Sequence, residues 1–399
     1  MLNESAGDNP SRTASALPGT ESAGVDHAAS FNEAGYEIAV SRPFAGATEA
    51  DAQWDTFLEQ VPEVYFAQSS LWTKVKAYQN YEALRLTVSR QGQIVAGAQI
   101  LMRPVTGLGY LGYVSRGPVL RRDDPALMSF TLQAMLRATR QAGIGMLIVQ
   151  PHGHGPGPVD QLQRLAFRPT ARSVAPVHTL LLDLRPDSDR IMAQFKTRTR
   201  YNVRLSGRKD VVVREGGSAE DLETFSRLAS LTGQRQGFSV PSHGYYRQLW
   251  STLAPTGHAK LFVAEYEGEL LAAQLAIGFG DTMLNRMTVW GGREGKRKPN
   301  EGLMWFAIQS AKEAGYSTYD FGGLSPKGAQ AYETGADLPE DLKGTVTSFK
   351  LGFGGEIVTT PEAYVYTGNR ILRQIDKNIL ARLEDSKQVK KLTNRLRTQ

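Results

Sequence analysis

One succession of elements occurs twice in this 399-residue chain. It begins with YEALRLTVSRQGQIVAGAQILMRPV, two apolar-rich runs around the turn Arg90-Gln91-Gly92-Gln93, which reads as a β-hairpin. LGYLGYVSRGPVL follows as a strand ending in Gly-Pro. PALMSFTLQAMLRATRQAG is an amphipathic helix stopped at Gly143, and GMLIVQP is a buried strand. The order then returns. AKLFVAEYEGELLAAQLAIGF is a hairpin around Glu267-Gly268-Glu269, TMLNRMTVWGG a strand, NEGLMWFAIQSAKEAG a helix stopped at Gly315, and YSTYDFGG a strand. Gly92 and Gly268 lie 176 residues apart; the pairs Ala142-Gly143 and Ala314-Gly315 lie 172 apart. Near-constant offsets predict an internal duplication. The fold class expected is α/β (α+β): two tandem domains with mixed, mostly antiparallel sheets.

Boundaries follow from composition. Residues 1–35 begin with a stretch rich in Ser, Ala, Gly and Thr and are expected to be a disordered tail. The first domain is expected over 36–184 and the second over 185–358, with the junction near LLLDLRPDSDRIMAQF. Two short helices, ADAQWDTFLEQV and QSSLWTKVKAYQ, precede the first hairpin. Residues 359–399 form a C-terminal segment whose basic end, NRILRQIDKNILARLEDSKQVKKLTNRLRTQ, reads as a helix.

Several chemistries are excluded. The chain has no cysteine, so disulfides, thiolate metal sites and cysteine nucleophiles are ruled out. His152 and His154 form the only close histidine pair, in a Gly/Pro loop with nothing nearby to complete a ligand set, so no metal site is expected. No hydrolytic triad, paired carboxylate motif or Walker loop is found. No apolar run approaches the roughly 20 residues of a spanning helix, and the N-terminus lacks the pattern of a signal peptide. A cytoplasmic protein is expected. A formal charge of +6 is compatible with a polyanionic partner without identifying one.

The cations are grouped. FKTRTRYNVRLSGRKDVVV reads as a helix with Lys196, Arg200 and Arg204 on one face, a stripe suited to phosphates or to solvent alone. Arg293, Lys296, Arg297 and Lys298 sit in the loop before the second long helix, where a GNAT acyltransferase would cradle a coenzyme A pyrophosphate. Pro299 removes an amide there and Gly302 falls late, so the loop suits that role poorly. Trp72 and Lys76 share a helical face. Lys350 lies in SFKLGFGGE, read as a glycine-hinged strand; a lysine there either meets an anion or snorkels out of the core. Asp320, in YDFGG, reads as structural rather than as a base.

QSSLWTKVK, FKTRTRYNVRLSGRKDVVV, TGQRQGF with the later YY, KPNEGLMWFAIQSAKEAG, YDFGG and FKLGFGG occur in the order found in the FemABX peptidyltransferases, and the chain resembles that family over about residues 60–360. The resemblance implies two GNAT-like domains, no room here for the coiled-coil arm of some members, and a C-terminal segment that returns to the first domain. It implies an aminoacyltransferase: an amino acid passes from aminoacyl-tRNA, a cosubstrate, to the stem-peptide amine of a peptidoglycan precursor, lipid II or a UDP-linked muropeptide. No further cofactor is implied. This is interpeptide bridge formation by ester aminolysis.

Carried over residue by residue, Lys76 matches a lysine that binds the precursor diphosphate, and Tyr245 a tyrosine lining the precursor site. Phe349 and Lys350 match a Phe-Lys pair tied to the tRNA acceptor end and to catalysis. Trp290 lies near an aromatic wall position and Arg235 fits a recurrent arginine. Lys196, Arg200 and Arg204 are the expected tRNA-phosphate contacts. Ser239 and Pro241 stand where some members have Thr and Arg, which leaves a different amine, such as a peptide-like natural product, as an alternative acceptor. Gln150 replaces an acid, so no base is assigned from it. A coenzyme A-dependent N-acyltransferase is the other alternative. The basic C-terminal end is expected to meet tRNA or the acidic inner face of the membrane.

Overall fold

The computed structural model describes residues 29–42, 49–106, 109–153, 157–170, 172–237 and 239–368. The first half runs β1 (Ala29–Glu33), β2 (Tyr36–Ser41), α1 (Glu49–Glu59), α2 (Ser70–Ala77), β3 (Glu82–Arg90), β4 (Gln93–Val105), β5 (Gly109–Ser115), β6 (Val119–Leu120), α3 (Pro125–Gln141), β7 (Ile144–Gln150), α4 (Gly157–Arg164) and β8 (Arg168–Thr170). The second half runs β9 (His178–Asp183), α5 (Ser188–Gln194), α6 (Thr197–Arg208), β10 (Val212–Gly216), α7 (Ala219–Gln236), α8 (His243–Leu253), β11 (Ala259–Tyr266), β12 (Glu269–Phe279), β13 (Thr282–Trp290), α9 (Pro299–Glu313), β14 (Thr318–Gly323), α10 (Pro326–Glu333), α11 (Val346–Lys350), β15 (Glu356–Thr359) and β16 (Ala363–Thr367).

These elements build a nine-stranded sheet, ordered β1-β2-β3-β4-β5-β7-β16-β8 with β6 beside β4, and a seven-stranded sheet, ordered β10-β11-β12-β13-β14-β9-β15. Only β5 with β7 and β13 with β14 pair in parallel; the other described pairs are antiparallel. The duplication is written into the hydrogen-bond register. The β3–β4 ladder shifts after Val88, leaving Val95 as an extra residue, and the β11–β12 ladder shifts after Ala264, leaving Leu271. Val95 and Leu271 are 176 residues apart, the same offset as the turn glycines. Those turns match too: Gln91 and Gly92 have φ of 53° and 75°, Glu267 and Gly268 of 49° and 77°, the left-handed pair a two-residue hairpin requires.

Helix starts are set by short polar side chains. Asp124 accepts from the amides of Ala126 and Leu127 at the head of α3. Ser218 and Asp221 form a reciprocal capping box on α7, which ends at Gly237 with φ 73°. Each such cap contributes about 1 kcal/mol. The main hydrophobic core spans both halves: Trp54, Trp72 and Tyr113 pack in one cluster with Phe225, Tyr246 and Leu249. Burying each of these side chains stabilises the fold by roughly 1.5–3 kcal/mol. The site therefore sits on two sheets joined by a common core. Among the described residues no coiled-coil arm departs from the second half, and no helix is long and apolar enough to cross a membrane.

Four expectations need correction or fall outside these residues. The ordered chain begins before Tyr36, because Ala29–Glu33 pairs with Tyr36–Ser41 across the tight turn Ala34-Gly35. Strand His178–Asp183, inside the 36–184 bounds expected for the first domain, lies between β14 and β15 of the second sheet. The place beside β7 is taken by β16, from the chain's other end. Lys350 is not in a strand: it closes the short helix α11, and Gly354 and Gly355, with φ of 74° and 97°, turn the chain into β15. The basic end of the C-terminal segment, 369–399, and residues 1–28 of the expected tail lie outside the described residues.

Candidate active site

The two parallel strand pairs differ. In the first half β5 and β7 stay paired from Tyr110 to Ser115. Buried glutamines brace that side: Gln68 donates to the Ser115 carbonyl at 2.8 Å, and Gln99 to that of Ser69 at 2.8 Å. In the second half β13 and β14 pair only at Thr282–Leu284 with Thr318–Asp320, then diverge. A cavity of about 370 Å³ lies against the diverging part of β13; Arg286, Thr288, Trp290, Asn300, Phe349 and Lys350 are among its walls. Among the described residues, serine, histidine, aspartate and glutamate are absent from its lining.

Lys350 reaches the cavity from α11 and donates to the Gly323 carbonyl at 2.9 Å. Burial pushes its pKa down to about 8, against the opposing pull of the Asp320 carboxylate. Asp320 itself accepts from the Gly322 amide at 2.7 Å and from the Thr179 hydroxyl, which ties β14 to β9. Gly322 has φ 74°, and a side chain there would come within 3.6 Å of the Lys350 ammonium. Phe349 turns its ring to Phe353, with centroids 5.2 Å apart. On the opposite wall, the Arg235 guanidinium lies 4.9 Å from the Trp290 ring and donates to the Trp290 carbonyl at 3.1 Å. Trp290 Nε1 donates to the Arg293 carbonyl at 2.8 Å, which fixes the indole.

Lys76 and Tyr245 meet at the junction of the two halves. Lys76 is fully buried, donates to Gln79 Oε1 at 2.9 Å, and faces the rings of Trp72, Tyr81 and Tyr245 at 5.2, 5.6 and 5.8 Å. Burial pushes its pKa well below the lysine range, and the charge of Arg286 adds to the shift. Here Lys76 is enclosed rather than presented to a ligand, since α8 from the second half covers it through Tyr245.

Arg286, which sequence reasoning passed over, connects the two places. It is the extra residue of a bulge in β13, where Leu275 pairs with Met287 and Ala276 with Asn285. It lines the cavity, and its charge acts on Lys76, Tyr245 and Tyr246. A strand's alternation breaks at a bulge, so MLNRMTVW carries no signal for the side to which Arg286 turns.

The expected phosphate stripe is rearranged. Arg200 turns back on α5 and donates to the carbonyls of Ala193, at 3.0 Å, and Phe195. It caps a helix end rather than facing outward. Lys196 stands before the first turn of α6, its amide donating to the Gly352 carbonyl at 2.8 Å. Arg204 is exposed. Gln150 is buried and accepts from the amides of Val174, at 3.1 Å, and Ala175, at 2.7 Å, as a structural brace. His152 Nε2 lies 3.1 Å from the Pro62 carbonyl, and His154 is outside the described residues. Among the described residues no cluster of metal-ligand side chains forms.

Known proteins share both halves. A FemAB family model matches residues 50–154, and an acetyltransferase (GNAT) domain model matches residues 193–334. The chain is 25% identical over 228 residues to the lipid II:glycine glycyltransferase of Staphylococcus saprophyticus, covering 54% of this chain and 55% of that one. The first half is thus similar to the FemAB family and the second to GNAT domains. The protein of the same name from Staphylococcus aureus is also 25% identical, over 224 residues and 53% of each chain. The chain thus spans about half the length of the curated relatives it matches. Among solved structures, FemX superposes with a TM-score of 0.71 at 19% identity, over 82% of this chain and 98% of that one. L-PGS from Bacillus licheniformis gives 0.52 at 15% identity, over 87% of this chain and 97% of that one. These two likenesses are of fold: tandem GNAT-like halves, as the FemABX resemblance implied.

Proposed function

We propose that the protein is an aminoacyltransferase that moves an amino acid from aminoacyl-tRNA to the stem-peptide amine of a peptidoglycan precursor. One observation carries this reading. A lysine with its pKa lowered to about 8 stands at a cation-lined cavity whose described walls hold no serine, histidine or carboxylate. Aminolysis of an ester needs no enzyme nucleophile, because the acceptor amine attacks. The new C–N bond forms as the ester C–O bond breaks; the amine loses a proton and the ribose hydroxyl gains one. Lys350, as an ammonium, would donate to the developing oxyanion and leaving oxygen, and a pKa near 8 lets it exchange protons near neutrality. Phe349, Trp290 and Arg235 would hold the aminoacyl end. Lys76 and Tyr245 would serve the acceptor once α8 moves aside. The curated relatives' names support the acceptor class.

The match to a GNAT domain model favours a second reading, acyl transfer from coenzyme A. Against it, α9 opens on Lys298-Pro299, which lacks an amide where a pyrophosphate would be held.

The test is mass spectrometry of a soluble nucleotide-linked precursor after incubation with the protein and charged tRNA. Extension of the stem peptide by the transferred residue is expected. No ester-to-amide transfer with any amino acid, together with micromolar acetyl-CoA binding, overturns the reading in favour of the second.

A further inference from the structure

The outward face of α6 carries Arg198, Tyr201, Arg204 and Arg208, brought together by positions three and four apart. Tyr201 is 55% exposed, and the Arg208 guanidinium lies 5.6 Å from its ring. Five arginines of the same half are held by acids: Arg185 by Asp183, Arg190 by Asp187, Arg214 by Asp221 and Glu265, Arg293 by Glu269 and Arg297 by Glu294. Arg198, Arg204 and Arg208 have no such carboxylate among the described residues.

The other side of the helix is anchored beside the cavity. At its start the Lys196 amide donates to the Gly352 carbonyl, two residues beyond Lys350, and Gly352 packs directly on Thr199. In its middle Asn202 donates to Glu301 of α9 at 2.9 Å. At its end the Arg297 guanidinium donates to the Lys209 carbonyl at 2.8 Å, which brings the loop with Lys296 and Lys298 alongside. Asn300, just past Lys298, is a cavity wall. The helix is about 18 Å long, and both the segment that carries Lys350 and the loop that precedes Asn300 pack against it.

We propose that this face of α6, with the loop carrying Lys296 and Lys298, docks the phosphate backbone of an RNA duplex stem whose single-stranded end enters the cavity. The inference rests on the aminoacyl-tRNA donor proposed above. Arginines contact the phosphates and Tyr201 offers a stacking surface where the duplex ends. It differs from the stripe expected from sequence, because Arg200 is occupied and Arg198, Tyr201 and Arg208 take its place.

The test uses the full chain and the double variant Arg198→Glu/Arg208→Glu, with Tyr201→Ala as a milder second variant. Two donors are compared: charged tRNA and an amino-acid ester of a CCA trinucleotide that lacks a stem. The double variant is expected to raise KM for charged tRNA about tenfold or more and to lower the salt slope of tRNA binding by about two. Transfer from the trinucleotide ester should stay within about twofold. Unchanged KM and salt slope overturn the inference, as does an equal loss with both donors, which places the effect in the fold or the cavity. If the wild type uses neither donor, the donor reading fails, and binding of uncharged tRNA still decides the surface: no difference between wild type and variant overturns it. Loss of binding to anionic phospholipid vesicles with tRNA binding intact would make this a membrane-facing patch instead.

Discussion

Lys350 donates its hydrogen bond to the carbonyl of Gly323, the last residue of the strand that parts from β13. The contact holds the ammonium beside the opening it is proposed to serve. With its pKa lowered to about 8, roughly a tenth of this amine is neutral at pH 7. Lys350→Met is expected to reduce kcat by about 100-fold or more with little change in Tm. If the ammonium form acts, the wild-type rate carries a limb that falls above pH 8. The variant's residual rate should lack that limb, which a pH–rate profile on both proteins checks.

Lys76 makes the opposite demand on stability. Its folded pKa is depressed, so the unfolded chain binds a proton that the folded one resists. The resulting destabilisation is absent above the unfolded lysine value and grows as pH falls toward the folded one. Lys76→Met should therefore raise stability at neutral pH by about 1–3 kcal/mol, with a gain that shrinks toward pH 10–11, while acceptor use falls. Thermal melts across that range, beside transfer assays, separate the two effects. A loss of stability at pH 7 would show that the amine is held by more than Gln79.

Gly355 turns the chain into β15 with φ 97°, and a side chain there would strike the Leu181 carbonyl of β9. Gly355→Ala combines a disfavoured backbone angle with a backbone collision, and is expected to cost about 2–4 kcal/mol. Chemical denaturation would read this as a lower midpoint at unchanged slope. Activity should fall with it, because the same segment seats Lys350.

Arg235 is exposed and rests on Trp290. Arg235→Ala should leave stability within about 0.5 kcal/mol. The indole would lose one of its restraints, so the expected signature is a several-fold rise in KM for the charged donor with kcat nearly kept. Steady-state kinetics with the donor varied provide the check.

Much of the scaffold can be read from the sequence because it rests on local signals. Turn glycines at Gly92 and Gly268 and stop glycines at Gly143 and Gly315 placed both hairpins and both long helices. The site is less readable, since it arises where local rules are broken. The β13–β14 separation depends on pairing that ends at Leu284 and Asp320, and no single residue encodes it. Arg286 faces as it does because of a bulge. Helical spacing alone put Arg200 on the outer stripe, while the bare carbonyls at the end of α5 drew it inward. Lys350 stands out by its chemistry, a lone cation among aromatics and glycines, even though those neighbours suggest a strand and the segment is a short helix.

The placement of β16 bears on how the chain is made. Residues 363–367 fill the slot between β7 and β8, so the first sheet is two unjoined pieces until these residues have left the ribosome. Pairing residues 168–170 with residues 363–365 is a contact of very high sequence separation. The amino-terminal half therefore cannot finish folding during synthesis as an independent unit. During translation it exposes the open edge of β7 to solvent, to chaperones and to neighbouring nascent chains.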